Sequence, residues 1–279
     1  IDGTWMHVAA TYDYATKEIK LFINGVQEGG TLVGPTSIGS TTNPLTIGSE
    51  LSDFSKAFQG SIDEVRVWNI ARSEADIRAN MTKKLMGNES GLVGYWRFDE
   101  TSGILMNDET SNNNDGTMVN MDPATDHLWS GAALGDASAY DYVATGGYTA
   151  TVTHPDGDAI TATTTAGTIS GIQVYRADDN AMRTGSTGLP DYTLDPLRFW
   201  GAKAIGTATP TYTLVYNYTG NPAVTNETGL KLAKRSSISQ GAWDDALATL
   251  DMNANTLTVT GATGTEYALA IPSTPTSAP

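Results

Sequence analysis

The residues best suited to chemistry in this chain are oxygen donors crowded into short stretches. Asp108–Gly116 offers Asp108, Asn112, Asn114 and Asp115, with several free carbonyls, inside nine residues. Calcium takes six to eight oxygens from such groups, so this loop is a candidate structural Ca2+ site. Asx-turns with no metal are the competing reading of the same residues. The spacing is not that of an EF-hand, which needs a glycine at its sixth position and a glutamate at its twelfth.

A second feature is a carboxylate in an apolar setting. Along Ser61–Trp68 the side chains alternate, putting Val65 and Val67 on one face and Glu64 and Arg66 on the other. Asp63 falls with the valines, where an unpaired charge is expensive. Glu64 and Arg66 suit an ion pair.

Catalytic patterns are scarce. A retaining glycosidase needs two carboxyls about 5 Å apart, which on one strand means alternate positions. Asp63 and Glu64 are neighbours on opposite faces, and no E-x-D-x-x-E pattern occurs. Asp156/Asp158 and Asp178/Asp179 lie in turn-like HPDGD and RADDN, where solvated turn aspartates are the favoured reading. A metal site of His154 with Asp156 and Asp158 is the less favoured alternative. His7 sits in a strand, as a packed or rim residue. No Ser-His-Asp spacing, metalloprotease spacing or phosphate-cradling glycine motif is present. The expectation is a chain without catalysis. Rings that stack on sugars could be supplied by tryptophan, and Trp129 and Trp243, near expected loops, are the first candidates for exposure.

The elements that must hold these residues are strands. Trp5–Tyr12, Glu18–Asn24, a strand opening at Val26, Pro44–Ser49, Ser61–Trp68 and a strand opening at Leu92 form an antiparallel pattern. Asn24-Gly25 supplies a two-residue turn. Ser73 can cap one short helix with Ile77 and Met81 facing inward. From about His127 the texture becomes threonine-rich, with eight further strands: TATVTH, AITATTT, GIQVYRA, RFWGAKAI, TYTLVYNY, GLKLAKR, TLTVTG and EYALA. In the fifth of these, Tyr212, Leu214, Tyr216 and Tyr218 share one face. The fold class is all-β, two β-sandwiches with one short helix. The expected units are 1–125 and 126–271, followed by a Pro/Ser/Thr linker at 272–279.

Charge and composition narrow the partners. Sixteen basic against 31 acidic residues give a net charge of −15, and the two halves share it. Nucleic acid and anionic membranes both need basic patches, so neither is expected as partner. No apolar run reaches the length of a membrane span. Cysteine is absent, which removes disulfides, zinc-thiolate sites and thiol nucleophiles together.

WMHVAATYD, KLFINGVQ, PLTIGS, GSIDEVRVWNIARSEADI and GLVGYWRFDETSG, in this order, resemble the bacterial laminin-G-like, or concanavalin A-like, jelly-roll family. The resemblance covers roughly the first 120 residues. It implies that the Asp108–Asp115 loop lies against the strand carrying Asp63, making Asp63 a calcium ligand. Thr110, Ser111 and Asn113 depart from the commoner residues of that loop. The strands that open such a sandwich do not precede Trp5, so an upstream segment or a neighbouring chain would have to complete it, and a half sandwich would expose an apolar face. The second half, from GDASAYDY to GTEYALA, resembles a module near the C-termini of large secreted Bacteroidetes proteins that use type IX secretion. Together these imply a secreted or surface-anchored binding or adhesion module for glycans or surface proteins. The alternatives are a stalk or filament subunit, and an accessory region of a larger hydrolase.

Overall fold

The computed structural model describes residues 4–39, 41–50, 56–143, 147–164, 169–181, 188–206, 210–236, 242–263 and 265–273. Most of the expected linker, 274–279, lies outside them. The described chain is nearly all β, with antiparallel sheets and one helix.

Strands β1 (Val8–Asp13), β2 (Glu18–Ile23) and β3 (Val26–Val33) form a three-stranded antiparallel sheet. Asn24 and Gly25 both take positive φ, 49° and 74°, as a tight two-residue hairpin demands. Strand β4 (Val65–Trp68), helix α1 (Glu74–Asn80) and strand β5 (Leu92–Trp96) follow, with β4 paired to β5. Ser73 caps α1 in a capping box with Asp76, and Ile77 and Met81 are buried, as the spacing requires. Pro44–Ser49, expected as a strand, forms none. Proline at its first position and Gly48 at φ 82° break the extended run. Two short strands, β6 (Leu105–Met106) and β7 (Gly116–Thr117), close the Asp-rich loop.

The remaining strands are β8 (Ala137–Asp141), β9 (Tyr148–Thr153), β10 (Ala159–Thr164), β11 (Ile169–Ala177), β12 (Tyr192–Leu194), β13 (Phe199–Gly206), β14 (Tyr212–Asn217), β15 (Lys231–Arg235), β16 (Asp244–Asp245), β17 (Thr249–Asp251), β18 (Thr256–Ala262) and β19 (Glu266–Pro272). A five-stranded sheet, β17-β18-β14-β10-β9, faces a seven-stranded one, β16-β15-β19-β13-β11-β8 with β12 beside β19. Between them lies the main core, including Tyr148, Ile160, Trp200, Leu214, Tyr216 and Leu257. The tyrosine–leucine face of β14 points into it, as the alternation predicts.

The first half is different. Its own cluster is small, Leu85, Leu92 and Tyr95 with Trp68 against them. Nineteen of the 24 exposed large apolar residues among those described precede residue 130, so this half leaves apolar surface uncovered in its loops and on its first sheet. Val8, Leu21 and Leu32 share that open face of the three-stranded sheet.

Candidate functional site

The Asp108 loop is organised around one carboxylate. Asp108 Oδ1 accepts from the amides of Tyr95 (3.0 Å) and Thr110 (2.9 Å). Its Oδ2 accepts from the Thr110 hydroxyl (3.0 Å) and the Asn114 amide (2.9 Å). Burial opposes ionisation, but these donors hold the carboxyl below its ordinary range. Asp115 Oδ1 accepts from the Asp108 amide at 2.9 Å. Asn112 and Asn114 turn their amide nitrogens to the Val93 carbonyl, at 3.0 and 3.5 Å. The Asn114 carbonyl accepts from Trp96 Nε1 at 3.0 Å. The loop thus adopts the hydrogen-bonded turn form that competed with calcium in the sequence.

Asp63 is not drawn into this cage. Its Oδ1 accepts from the Glu64 amide at 3.0 Å, and Ser130 bonds its side chain. Its acidic neighbours are Glu64 and Asp99. Burial first, then that acidic company, pushes its carboxyl up to about 6. Asp63, Asp108 and Asp115 form no common ligand group among the described residues.

The face expected to be inward is also reversed. Glu64 takes φ 57°, which breaks the alternation between Asp63 and the strand that follows. The side chains of Arg66 and Glu64 are 9% and 12% exposed, whereas Val67 is open. The expected pair forms: Arg66 Nη2 meets Glu64 Oε2 at 2.5 Å, and Tyr95 OH donates to the same oxygen at 2.7 Å. Arg66 also donates to the carbonyls of Asn80 and Lys83, both at 2.7 Å, at the C-terminal end of α1 and just beyond it. These bonds, with the Glu64 pair, give the buried guanidinium polar partners.

A groove lies beside the three-stranded sheet. Thr11 and Asp13 of β1 pair with Lys20 and Glu18 of β2, and Phe22 pairs with Gln27, so these side chains share one sheet face. Residues Ala71–Glu74, entering α1, form the opposite wall of a cavity of about 310 Å3. Phe22 is its buried apolar floor, and most of the remaining lining is polar. Its three carboxylates are engaged. Asp13 accepts from the amides of Ala15 and Thr16, Glu18 pairs with Lys20 at 2.8 Å, and Glu74 pairs with Arg78. Arg72 lies 4.2 Å from the centre of the Trp68 ring. These residues carry no motif in the sequence, since they come together only when β1, β2 and the entry to α1 are folded against one another.

The less favoured metal group of the sequence is the one the fold assembles. His154, Asp156 and Asp158 bring ligand atoms within 4.8 Å of one another, a cluster that could hold a metal. Arg198 enters it, with Nη1 at 3.0 Å from Asp156 Oδ1 and 2.7 Å from Asp158 Oδ1, and Nη2 at 2.7 Å from Asp156 Oδ2. Tyr216 OH and Asn221 Nδ2 donate to Asp158 Oδ2 at 2.9 and 3.0 Å. His154 Nδ1 lies 2.7 Å from Asp156 Oδ1. Burial resists ionisation of Asp156, yet Arg198 and His154 hold it below the usual carboxylate range. Burial first, then Asp156 beside it, pushes Asp158 up to about 6 against the pull of Tyr216 and Arg198. Arg198 and Asn221 had no signal in the sequence, lying 40 and 63 residues from Asp158.

The two tryptophan candidates separate. Trp129 is 55% exposed, as expected. Trp243 is fully buried, a correction: it belongs to a second cluster with Ala181, Leu189 and Leu194, and the Arg235 guanidinium stacks 4.2 Å from its ring centre. It cannot meet a ligand from solvent.

Residues 1–78, which include the whole groove lining, match a laminin G-type family model described as the concanavalin A-like lectin/glucanases superfamily. The chain is also 30% identical over 86 residues to pappalysin-1 of Mus musculus. That alignment takes in 29% of this chain and 5% of the mouse protein, so the chain spans only a small part of that relative's length. No solved structure matches the chain. No helix among the described residues is long and apolar enough to cross a membrane.

Proposed function

We propose that this chain is a non-catalytic extracellular binding module that takes a polyhydroxylated glycan in the groove between the three-stranded sheet and the start of α1. The groove carries the reading. Thr11, Gln27 and Lys20 offer hydrogen-bond donors beside the acceptors of Asp13, Glu18 and Glu74, the mixture that sugar hydroxyls satisfy. The superfamily match covers the same residues. All three carboxylates are already committed to a turn or an ion pair, which argues against a free acid and base working on a glycosidic bond. The proposed units remain 1–125 and 126–271, with secretion to the bacterial cell surface. A glycan-array screen with wild type and with Gln27→Ala tests the function: array signals should weaken in the variant. An array with no wild-type signal would contradict it.

A second reading, an assembly segment completed by a neighbour, is favoured by the open face of Val8, Leu21 and Leu32. Light scattering at rising concentration separates the two. Ordered oligomers that dissolve on Leu21→Lys would favour assembly, and a monomer throughout would favour the binding module.

A further inference from the structure

Calcium is the ion implied by the family resemblance, and the donor set here does not fit it. A carboxylate has about four lone-pair sites. At Asp108 all four are taken by the chain: two amides on Oδ1, one hydroxyl and one amide on Oδ2. Asn112 and Asn114 present donors inward rather than oxygens. The Asp115 oxygen that faces the loop holds the Asp108 amide. An ion entering here would have to displace these bonds one by one.

The second cluster is closed by charge instead. Arg198 spans Asp156 and Asp158 with three contacts of 2.7 to 3.0 Å, and its side chain is only 5% exposed. Tyr216 and Asn221 occupy the far oxygen of Asp158. A divalent cation among His154, Asp156 and Asp158 would sit against a fixed guanidinium, which is always charged. It would be repelled where it should be bound.

We propose that the chain holds both carboxylate clusters without metal, with amides and a hydroxyl filling the coordination shell of Asp108, and Arg198 serving as the built-in cation between Asp156 and Asp158. The loop that closes β9 onto β10, the residues entering β13 and the segment leaving β14 are thereby tied at one end of the sandwich. Their geometry is then indifferent to calcium supply, and so is any ligand binding that depends on it.

Calorimetry on the whole chain tests this. Melting temperatures are compared in EDTA and in excess calcium, manganese or zinc at matched ionic strength. They should agree within about 1 °C, because an ion present at about a hundredfold its Kd would raise the midpoint by several degrees. A rise above about 3 °C with any of the three ions overturns the proposal. If that rise disappears in Asp108→Asn or Asp156→Asn, the ion sits in the corresponding cluster. If it survives in both, the ion sits elsewhere, and metal independence fails all the same. Arg198→Gln should melt well below wild type in EDTA. An Arg198→Gln chain as stable as wild type would remove arginine from the role given to it. Should that variant not fold, the wild-type comparison stands alone. Glycan binding is not the readout, so this outcome and that of the array are independent.

Discussion

The hydroxyl of Thr82 donates a 3.1 Å hydrogen bond to the side-chain oxygen of Gln173, and both residues are buried. The same glutamine donates through Nε2 to the Arg78 carbonyl and to Tyr142 OH, at 3.2 and 3.3 Å. Tyr142 OH in turn donates to the Asn24 carbonyl at 2.7 Å, in the hairpin turn of the first sheet. Lys84 and Gly135 add backbone bonds along the same seam. One glutamine thus joins the helix that walls the groove to the sandwich behind it.

Gln173→Ala should therefore destabilise the chain by about 1–3 kcal/mol, the cost of leaving buried polar partners unmatched. The urea midpoint reports it. A change near zero would mean that the two halves are joined by something other than this bond set.

Two groups in the first half titrate in opposite senses. Burial, with Glu64 and Asp99 beside it, raises the Asp63 carboxyl from its ordinary 3.8 to about 6, so its folded form holds the extra proton between those values. Stability from this group is present below pH 3.8 and lost as pH rises through 6. His7 is the reverse: burial first, then Arg66 and Lys203, push it down from 6.5 to about 4, and its Nδ1 is buried without a partner. Its neutral form is favoured, so stability is full above pH 6.5 and is lost as pH falls towards 4. The two effects oppose each other across the shared window, and wild type should show a shallow profile there. Asp63→Asn should raise stability at neutral pH by on the order of 1–2 kcal/mol, with no gain near pH 3.8. Urea titrations of that variant at several pH values check the sign. A variant less stable than wild type at neutral pH would mean that the charge of Asp63 is held by a partner.

Lys203 donates to the Trp5 carbonyl at 2.9 Å, and burial lowers its pKa from 10.5 to about 8. The folded chain gives up this proton first, so its stability should rise between pH 8 and 10.5 relative to a Lys203→Met chain. Equal slopes for the two chains would show the ammonium to be solvated.

The second sandwich was legible because its strands alternate β-branched and aromatic residues with polar ones. All eight expected segments became strands. What escaped were β8, short of branched residues, and the small strands β12, β16 and β17. In the first half, period two told which residues share a face but not which face is covered. That depends on where α1 and Gln173 lie. Trp243 was misjudged for a related reason: it lies near an expected loop, while the apolar residues that enclose it, Ala181, Leu189, Leu194 and Ala268 among them, come from distant stretches of the chain. The Asp-rich loop stands out in the sequence by composition alone. Whether its oxygens face a metal or the chain's own amides is fixed by the amides of Tyr95 and Asn114, and backbone direction leaves no mark on composition.

The central claim is that a glycan binds in the groove, and calorimetric titration of an array-selected glycan tests it most directly. Wild type, a Lys20→Ala/Gln27→Ala double variant and Trp129→Ala would be titrated in EDTA. The double variant should lose at least about tenfold in affinity, or about 1.4 kcal/mol, while Trp129→Ala binds as wild type does. Full affinity in the double variant, with loss in Trp129→Ala, would move the site to the exposed tryptophan and contradict the account.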